Sequence, residues 1–153
     1  MVVLALDVGL TTGWALSSGE CGEASFSHCG DLGARVHAFH GWLADMLAEH
    51  QPARLVMERP FGRAGFTSDL PLILCGVAHG VAHAHEVPRS EVTASQVKKA
   101  VTGKGNAKKR AVIVGVEALG WAPSSDHAAD AAAVIETWRA QRIAAEGPMG
   151  RAA

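Results

Sequence analysis

Residues 2–6, Val2-Val3-Leu4-Ala5-Leu6, are apolar at every position and stop at an acid, Asp7. A run without polar alternation fits a strand covered on both faces, and such strands belong to sheets that carry helices on either side. Arg54-Leu55-Val56-Met57, apolar after its first residue, reads as another buried strand and stops again at an acid, Glu58, before a Pro60-Phe61-Gly62 loop. Two buried strands, each with a carboxylate at its carboxyl end, constrain the fold more than any other feature.

The rest of the chain supplies the helices. Gly9 and Gly13 bracket a turn, after which alternation around Trp14 and Leu16, and again over residues 20–28, predicts two hairpin-connected strands. Over residues 34–50, Val36, Phe39, Leu43, Met46 and Leu47 recur at helical spacing and Pro52 closes the segment. Ser68 with Asp69 is expected to cap a helix reaching about residue 85, and residues 87–92 read as a further strand. Thr93 and Gln96 stand at capping-box spacing ahead of a short helix through Val101. Asn106 is expected to cap the next helix, which carries Val112, Val116 and Leu119 and ends near Gly120 and Pro123. Ser124 or Ser125 is expected to cap a last helix to about residue 142. The order implies an α/β fold: one mixed sheet of three initial antiparallel strands followed by parallel ones, with helices on both faces.

At 153 residues and 48% hydrophobic, the chain can fill one ordinary core but hardly two. A single domain over residues 1–146 is therefore expected, with residues 147–153 a flexible tail. Net charge is −1, so only its distribution can point to a polyanionic partner. Three cysteines, Cys21, Cys29 and Cys75, without C-x-x-C spacing suit a reducing compartment. Asp7 interrupts the opening apolar run too soon for a signal peptide or a span, so a soluble cytoplasmic protein is expected.

A third acid joins the two strand ends. Asp130 sits among Ala128, Ala129, Ala131, Ala132 and Ala133, which remove bulk and would let its helix approach the sheet and bring the carboxylate beside Asp7. His127, three residues earlier, shares the helix face. Such an oxygen cluster suits a hard divalent cation, which would relieve the carboxylates' repulsion. The plainer readings are a turn-initiating Asp7, a solvated strand end at Glu58 and surface positions for His127 and Asp130. Asp126 reads as a first-turn acid favoured by the helix dipole rather than as a ligand.

Four segments carry a resemblance: Leu4-Ala5-Leu6-Asp7-Val8-Gly9 with Thr12-Gly13-Trp14-Ala15; Leu55-Val56-Met57-Glu58; residues 96–108 from Gln96-Val97-Lys98-Lys99 through Gly103-Lys104-Gly105-Asn106-Ala107-Lys108; and His127-Ala128-Ala129-Asp130-Ala131. In order and spacing the chain resembles the RuvC-type Holliday junction resolvases of the ribonuclease H-like superfamily. The resemblance implies a ribonuclease H-like fold, a homodimer with the helix after Glu58 at its interface, and phosphodiester cleavage in branched DNA with two Mg2+ or Mn2+ ions per active site. By matching position it implies Asp7, Glu58, His127 and Asp130 as catalytic and metal-binding residues. Two ions about 4 Å apart would activate a water and stabilise the leaving oxygen, with Asp7 bridging them. Many members carry an aspartate where His127 stands, and the loop after Glu58 is this chain's own.

Lys98, Lys99, Lys104, Lys108, Lys109 and Arg110 fall in a stretch without an acid and can neutralise DNA phosphates. Gly103 and Gly105 would let backbone amides approach an anion there, beside the start of the next helix. Phe61 and Phe66 after Glu58 are candidates for stacking on bases or wedging a junction open, with core packing the alternative. Cys75, His79 and His83 at four-residue steps resemble a zinc stripe, but one helix face lacks the fourth ligand, and an ordinary packed or dimer-facing helix is expected.

Three rival functions remain at the level of sequence. The Asp7 to Gly13 turn also resembles the phosphate turn of actin-like phosphotransferases, which need two such domains. A catalytically idle DNA-binding scaffold would usually have lost one of the four site positions. A ribonuclease H-like nuclease for other branched DNA or for RNA-DNA hybrids keeps the fold and changes only the substrate.

Overall fold

The structure, a computed structural model, describes residues 1–60 and 69–146. Its elements are β1 (Val3–Asp7), β2 (Thr11–Leu16), β3 (Cys21–Ser25), α1 (Leu32–His50), β4 (Arg54–Glu58), α2 (Leu70–Ala84), β5 (Arg89–Val92), α3 (Ala94–Thr102), α4 (Lys109–Ala118) and α5 (Asp126–Glu146). The strands form one sheet in the order β3-β2-β1-β4-β5. The first three pair antiparallel, while β1 with β4 and β4 with β5 pair parallel, as expected from the run of strand and helix segments.

Alternation along each strand sorts bulk onto opposite faces. Leu4, Leu6, Leu16, Leu55 and Met57 point to one side, where they pack with Phe39, Leu43 and Leu47 of α1 and Leu74, Ala78 and Val81 of α2. Each fully buried Leu there contributes roughly 1.5–3 kcal/mol, so this face supplies much of the hydrophobic stabilisation. The other side carries smaller residues, Val3, Ala5, Ala15 and Val56, against α5 with Val97 of α3 and Val112 and Val116 of α4. Ala128, Ala129, Ala131, Ala132 and Ala133 of α5 are all fully buried. Small side chains on both sides of this contact let α5 lie close to the sheet, and that closeness positions the site.

The helix starts test the sequence reading locally. Asp31, ahead of the expected start, caps α1 by accepting from the Ala34 amide at 2.9 Å. The capping box of Thr93 and Gln96 forms in both directions. Ser125 Oγ accepts from the Ala128 amide, fixing the start of α5. Asp69 stands at the N-cap of α2 but its side chain makes no capping bond; Ser68 lies outside the described residues.

Asn106 does not cap α4. The Ala107 amide donates to the Lys104 carbonyl, so Gly105 and Asn106 occupy a turn, and the N-cap is Lys108, without a side-chain capping bond. The Gly103 amide is likewise committed: Gly103 ends α3 in the left-handed region, φ 77°, and donates to the Lys99 carbonyl. With the Lys104 amide given to Thr102 Oγ1, these two donors serve the end of α3 rather than an anion.

Among the described residues no helix is long and apolar enough to cross a membrane. The expected tail lies outside them.

Candidate active site

Strand register assembles the first half of the site. Leu6 is the partner of Met57 in the parallel β1–β4 pair, so the next residues, Asp7 and Glu58, leave the sheet side by side. Both continue the alternation of Ala5 and Val56 and therefore face α5. This is the carboxyl edge at which open α/β sheets place their chemistry.

The second half comes from β2. Gly13 is the antiparallel partner of Asp7. A Cβ on Gly13 would lie 3.2 Å from His127 Cα and inside the radius of the His127 carbonyl oxygen. The bare glycine thus admits the first turn of α5, and with it His127 and Asp130, to the end of β1.

Asp7, Glu58 and Asp130 line one cavity of about 250 Å³, together with Ala94, Val97 and Lys98 of α3 and Lys109 and Val112 of α4. Glu58 and Asp130 have no ion pair or side-chain hydrogen bond among the described residues, so their charges are uncompensated by contact. Burial, with added repulsion from Asp7 and Asp130, pushes the Glu58 carboxyl up to about 7 despite the pull of Lys98. Burial and Asp7 push Asp130 up to about 6, against Lys109 and His127. Burial also raises Asp7, which His127 and Lys109 partly offset. Mutually strained carboxylates in one cavity are what a hard cation would relieve.

His127 reaches the cluster from outside. Its Nδ1 lies 3.8 Å from Asp7 Oδ2, an electrostatic contact too long for a hydrogen bond, and it does not line the cavity. Among the described residues, no three His, Cys, Asp or Glu side chains are drawn together tightly enough to hold a metal ion as they stand. The carboxylates ring an open cavity rather than a closed cage, a form that suits ions sharing their shells with water and phosphate. Asp7, Glu58 and Asp130 therefore fit as metal donors, with His127 at their edge.

The basic segment divides. Lys98 and Lys109 stand on the cavity wall, whereas Lys99, Lys104, Lys108 and Arg110 are exposed around the α3–α4 connection beside it. Lys109 Nζ also lies 2.6 Å from Asp126 Oδ2, a pairing that nothing in the local sequence announces because the partners are 17 positions apart on different helices. Sequence reading likewise missed Ala94, Val97 and Val112 as cavity walls; only their place beside Lys98 and Lys109 in the basic segment hinted at it. Phe61 and Phe66 lie outside the described residues. The Cys75, His79 and His83 stripe separates. Cys75 is buried, its thiol pushed up to about 12 chiefly by burial, while His79 Nε2 lies 2.9 Å from Glu91 Oε1.

Residues 21–138 match the family model described as crossover junction endodeoxyribonuclease RuvC, a stretch that starts beyond Asp7. The chain is 35% identical to the protein of that name from Zymomonas mobilis over 162 aligned positions, covering 96% of this chain and 95% of the relative. With that of Bradyrhizobium diazoefficiens it shares 31% identity, covering 88% of this chain and 84% of the relative. Among solved structures it resembles Thermus thermophilus RuvC, with a TM-score of 0.77 and 26% identity over 93% of this chain and 96% of the other. The yeast mitochondrial Holliday junction resolvase Ydc2, 13% identical with a TM-score of 0.62 over 89% of this chain and 76% of the other, shares the fold.

Proposed function

Because the chain belongs to the crossover junction endodeoxyribonuclease RuvC family, we propose that it is a metal-dependent endonuclease that cleaves branched DNA, resolving four-way junctions by paired phosphodiester hydrolysis. The observation that carries this reading is the cavity shared by Asp7, Glu58 and Asp130, with two lysines on its wall.

Asp7, Glu58 and Asp130 would hold the metal, Mg2+ or Mn2+ and two ions per site, because hard cations prefer oxygen donors. When bound, such ions would supply Lewis-acid activation of a water and charge stabilisation of the leaving oxygen. His127, next to Asp7, orients that carboxylate or moves a proton at the site's edge. Lys98 and Lys109 bring positive charge to a phosphate entering the cavity. Lys99, Lys104, Lys108 and Arg110 extend the basic surface along the backbone, positioning DNA without reading its sequence. Work on DNA junctions would place the protein in the cytoplasm with the DNA it acts on.

Paired cuts require two active sites, so the working form is a homodimer of domains spanning residues 1–146. Helix α2 is the candidate interface: Leu72 and Ile73 are exposed on its outer side, as are Gly76 and Gly80. Two symmetric copies packed on such a face would meet as an isologous pair.

Purified protein is tested on a panel of four-way junctions, flaps, forks, linear duplex and RNA-DNA hybrid, with Mg2+ or with excess chelator. Symmetric nicking of the four-way junction in Mg2+ alone is expected. Preferential cleavage of the hybrid, or no cleavage of any branched substrate, would overturn the reading.

A further inference from the structure

One positive charge on the cavity wall is held back from the carboxylates it faces. Lys109 opens α4 and lines the cavity with Asp7, Glu58 and Asp130. Its Nζ is nevertheless turned to Asp126, 2.6 Å away, at the start of α5. Asp126 is not part of the cavity wall.

The arrangement matters because an ammonium and a divalent cation compete for the same oxygens. A lysine is a point charge on a flexible four-carbon stem, and one that already reaches the wall can turn inward. Glu58 and Asp130 hold no salt bridge among the described residues and would welcome it. Three carboxylates pull on Lys109, and of Asp126, Asp130 and Asp7 the first is its strongest partner.

We infer that Asp126 is a positioning residue: it holds Lys109 at the rim, so that the ring of Asp7, Glu58 and Asp130 stays open to a divalent cation. The inference rests on the proposed metal-dependent reading of the site. It assigns Asp126 a role through Lys109, with no coordination of its own.

Both partners of the pair are about half exposed, 53% for the Lys109 side chain and 45% for that of Asp126. An exposed pair supplies at most a modest bias, so its loss should weaken metal binding by about threefold to fivefold. A rival explanation is that Asp126 attracts the cation through space by its own charge. The two differ in whether Lys109 is required.

Mn2+ is the probe, and binding to the full-length chain is read by electron paramagnetic resonance of free Mn2+ and by the Mn2+-induced rise in melting temperature. Wild type, Asp126→Ala, Asp126→Glu, Lys109→Ala and the double alanine variant are compared. Asp126→Ala should raise the Mn2+ dissociation constant about threefold to fivefold, within the reach of an exposed ion pair. Asp126→Glu should bind like wild type, because the longer carboxylate still reaches Lys109. In the Lys109→Ala background, removing Asp126 should change nothing. Persistence of the full loss in that background, or wild-type binding by Asp126→Ala, would overturn the inference. A wild-type protein that binds no Mn2+ at all would instead remove the metal reading on which it stands, a failure of a different kind.

Discussion

Gly13 and His127 meet backbone to backbone: the Cα of the strand glycine faces the carbonyl of the helix histidine with no room for a side chain between them. Gly13 is also the cross-strand partner of Asp7, so one contact sets the distance between the acid on β1 and the acid on α5. Replacing Gly13 by alanine must push out the first turn of α5, since the neighbour is backbone and cannot rotate away. Gly13→Ala should cost roughly 1–3 kcal/mol as an overpacking change, read from urea unfolding. Nuclease activity should fall by more than the unfolded fraction accounts for. A variant with wild-type activity and stability would mean that α5 does not depend on this approach.

Asp7 shares the cavity with Glu58 and Asp130 and lies against His127, so its charge should be needed for metal and not for DNA. Asp7→Asn should abolish cleavage in Mg2+ while junction binding, measured by fluorescence anisotropy, stays largely intact. Full cleavage by this variant, or by wild type in excess chelator, would contradict the proposed chemistry.

The raised carboxyls make a signed statement about pH. Glu58 at about 7 and Asp130 at about 6 lie above their ordinary values of 4.5 and 3.8, so between these limits the folded metal-free chain binds more protons than the unfolded one. Stability then falls as pH rises through that window. In chelator, wild type should lose on the order of 2 kcal/mol from this source between pH 4.5 and 7.5, allowing for partial exposure. Glu58→Gln should flatten the decline, and Mg2+ should reverse it as protons give way to the cation. Denaturant midpoints across the window decide the matter; an equal slope in Glu58→Gln would refute it.

Salt separates a phosphate track from a solvated face. If Lys98, Lys104 and Lys108 each neutralise one phosphate, replacing all three by alanine should reduce the slope of log affinity against log salt by about 2.7. Weakening should be similar across junction sequences, because backbone contacts carry no base information. Folding, followed in parallel, should change little. A slope unchanged from wild type would move the DNA path elsewhere.

Helix α2 offers a physical test of assembly. Sizing with light scattering should give a homodimer, and Ile73→Asp, which places a charge on the exposed apolar side of α2, should shift it toward monomer. Monomers that still make paired symmetric cuts would exclude the two-site requirement.

Much of this was legible from residue order alone, wherever local chemistry leaves little choice. Apolar runs at residues 2–6 and 55–57 read as buried strands, and the acid that follows each was expected at a sheet edge. The alanines around Asp130 announced a helix pressed close to something, and the capping box at Thr93 and the serine before Asp126 fixed helix starts through hydrogen bonds that span three residues. Local signals failed where competing partners lay nearby, as when Gly105 and Asn106 formed a turn and left the cap of α4 to Lys108. Only the tertiary structure could decide which residues meet across the fold: that register sets Asp7 beside Glu58, that Gly13 is the bare surface on which α5 lands, and that Asp126 takes Lys109. Those relations depend on long-range pairing and on the space left between packed faces, and neither is encoded in the spacing of residues along the chain.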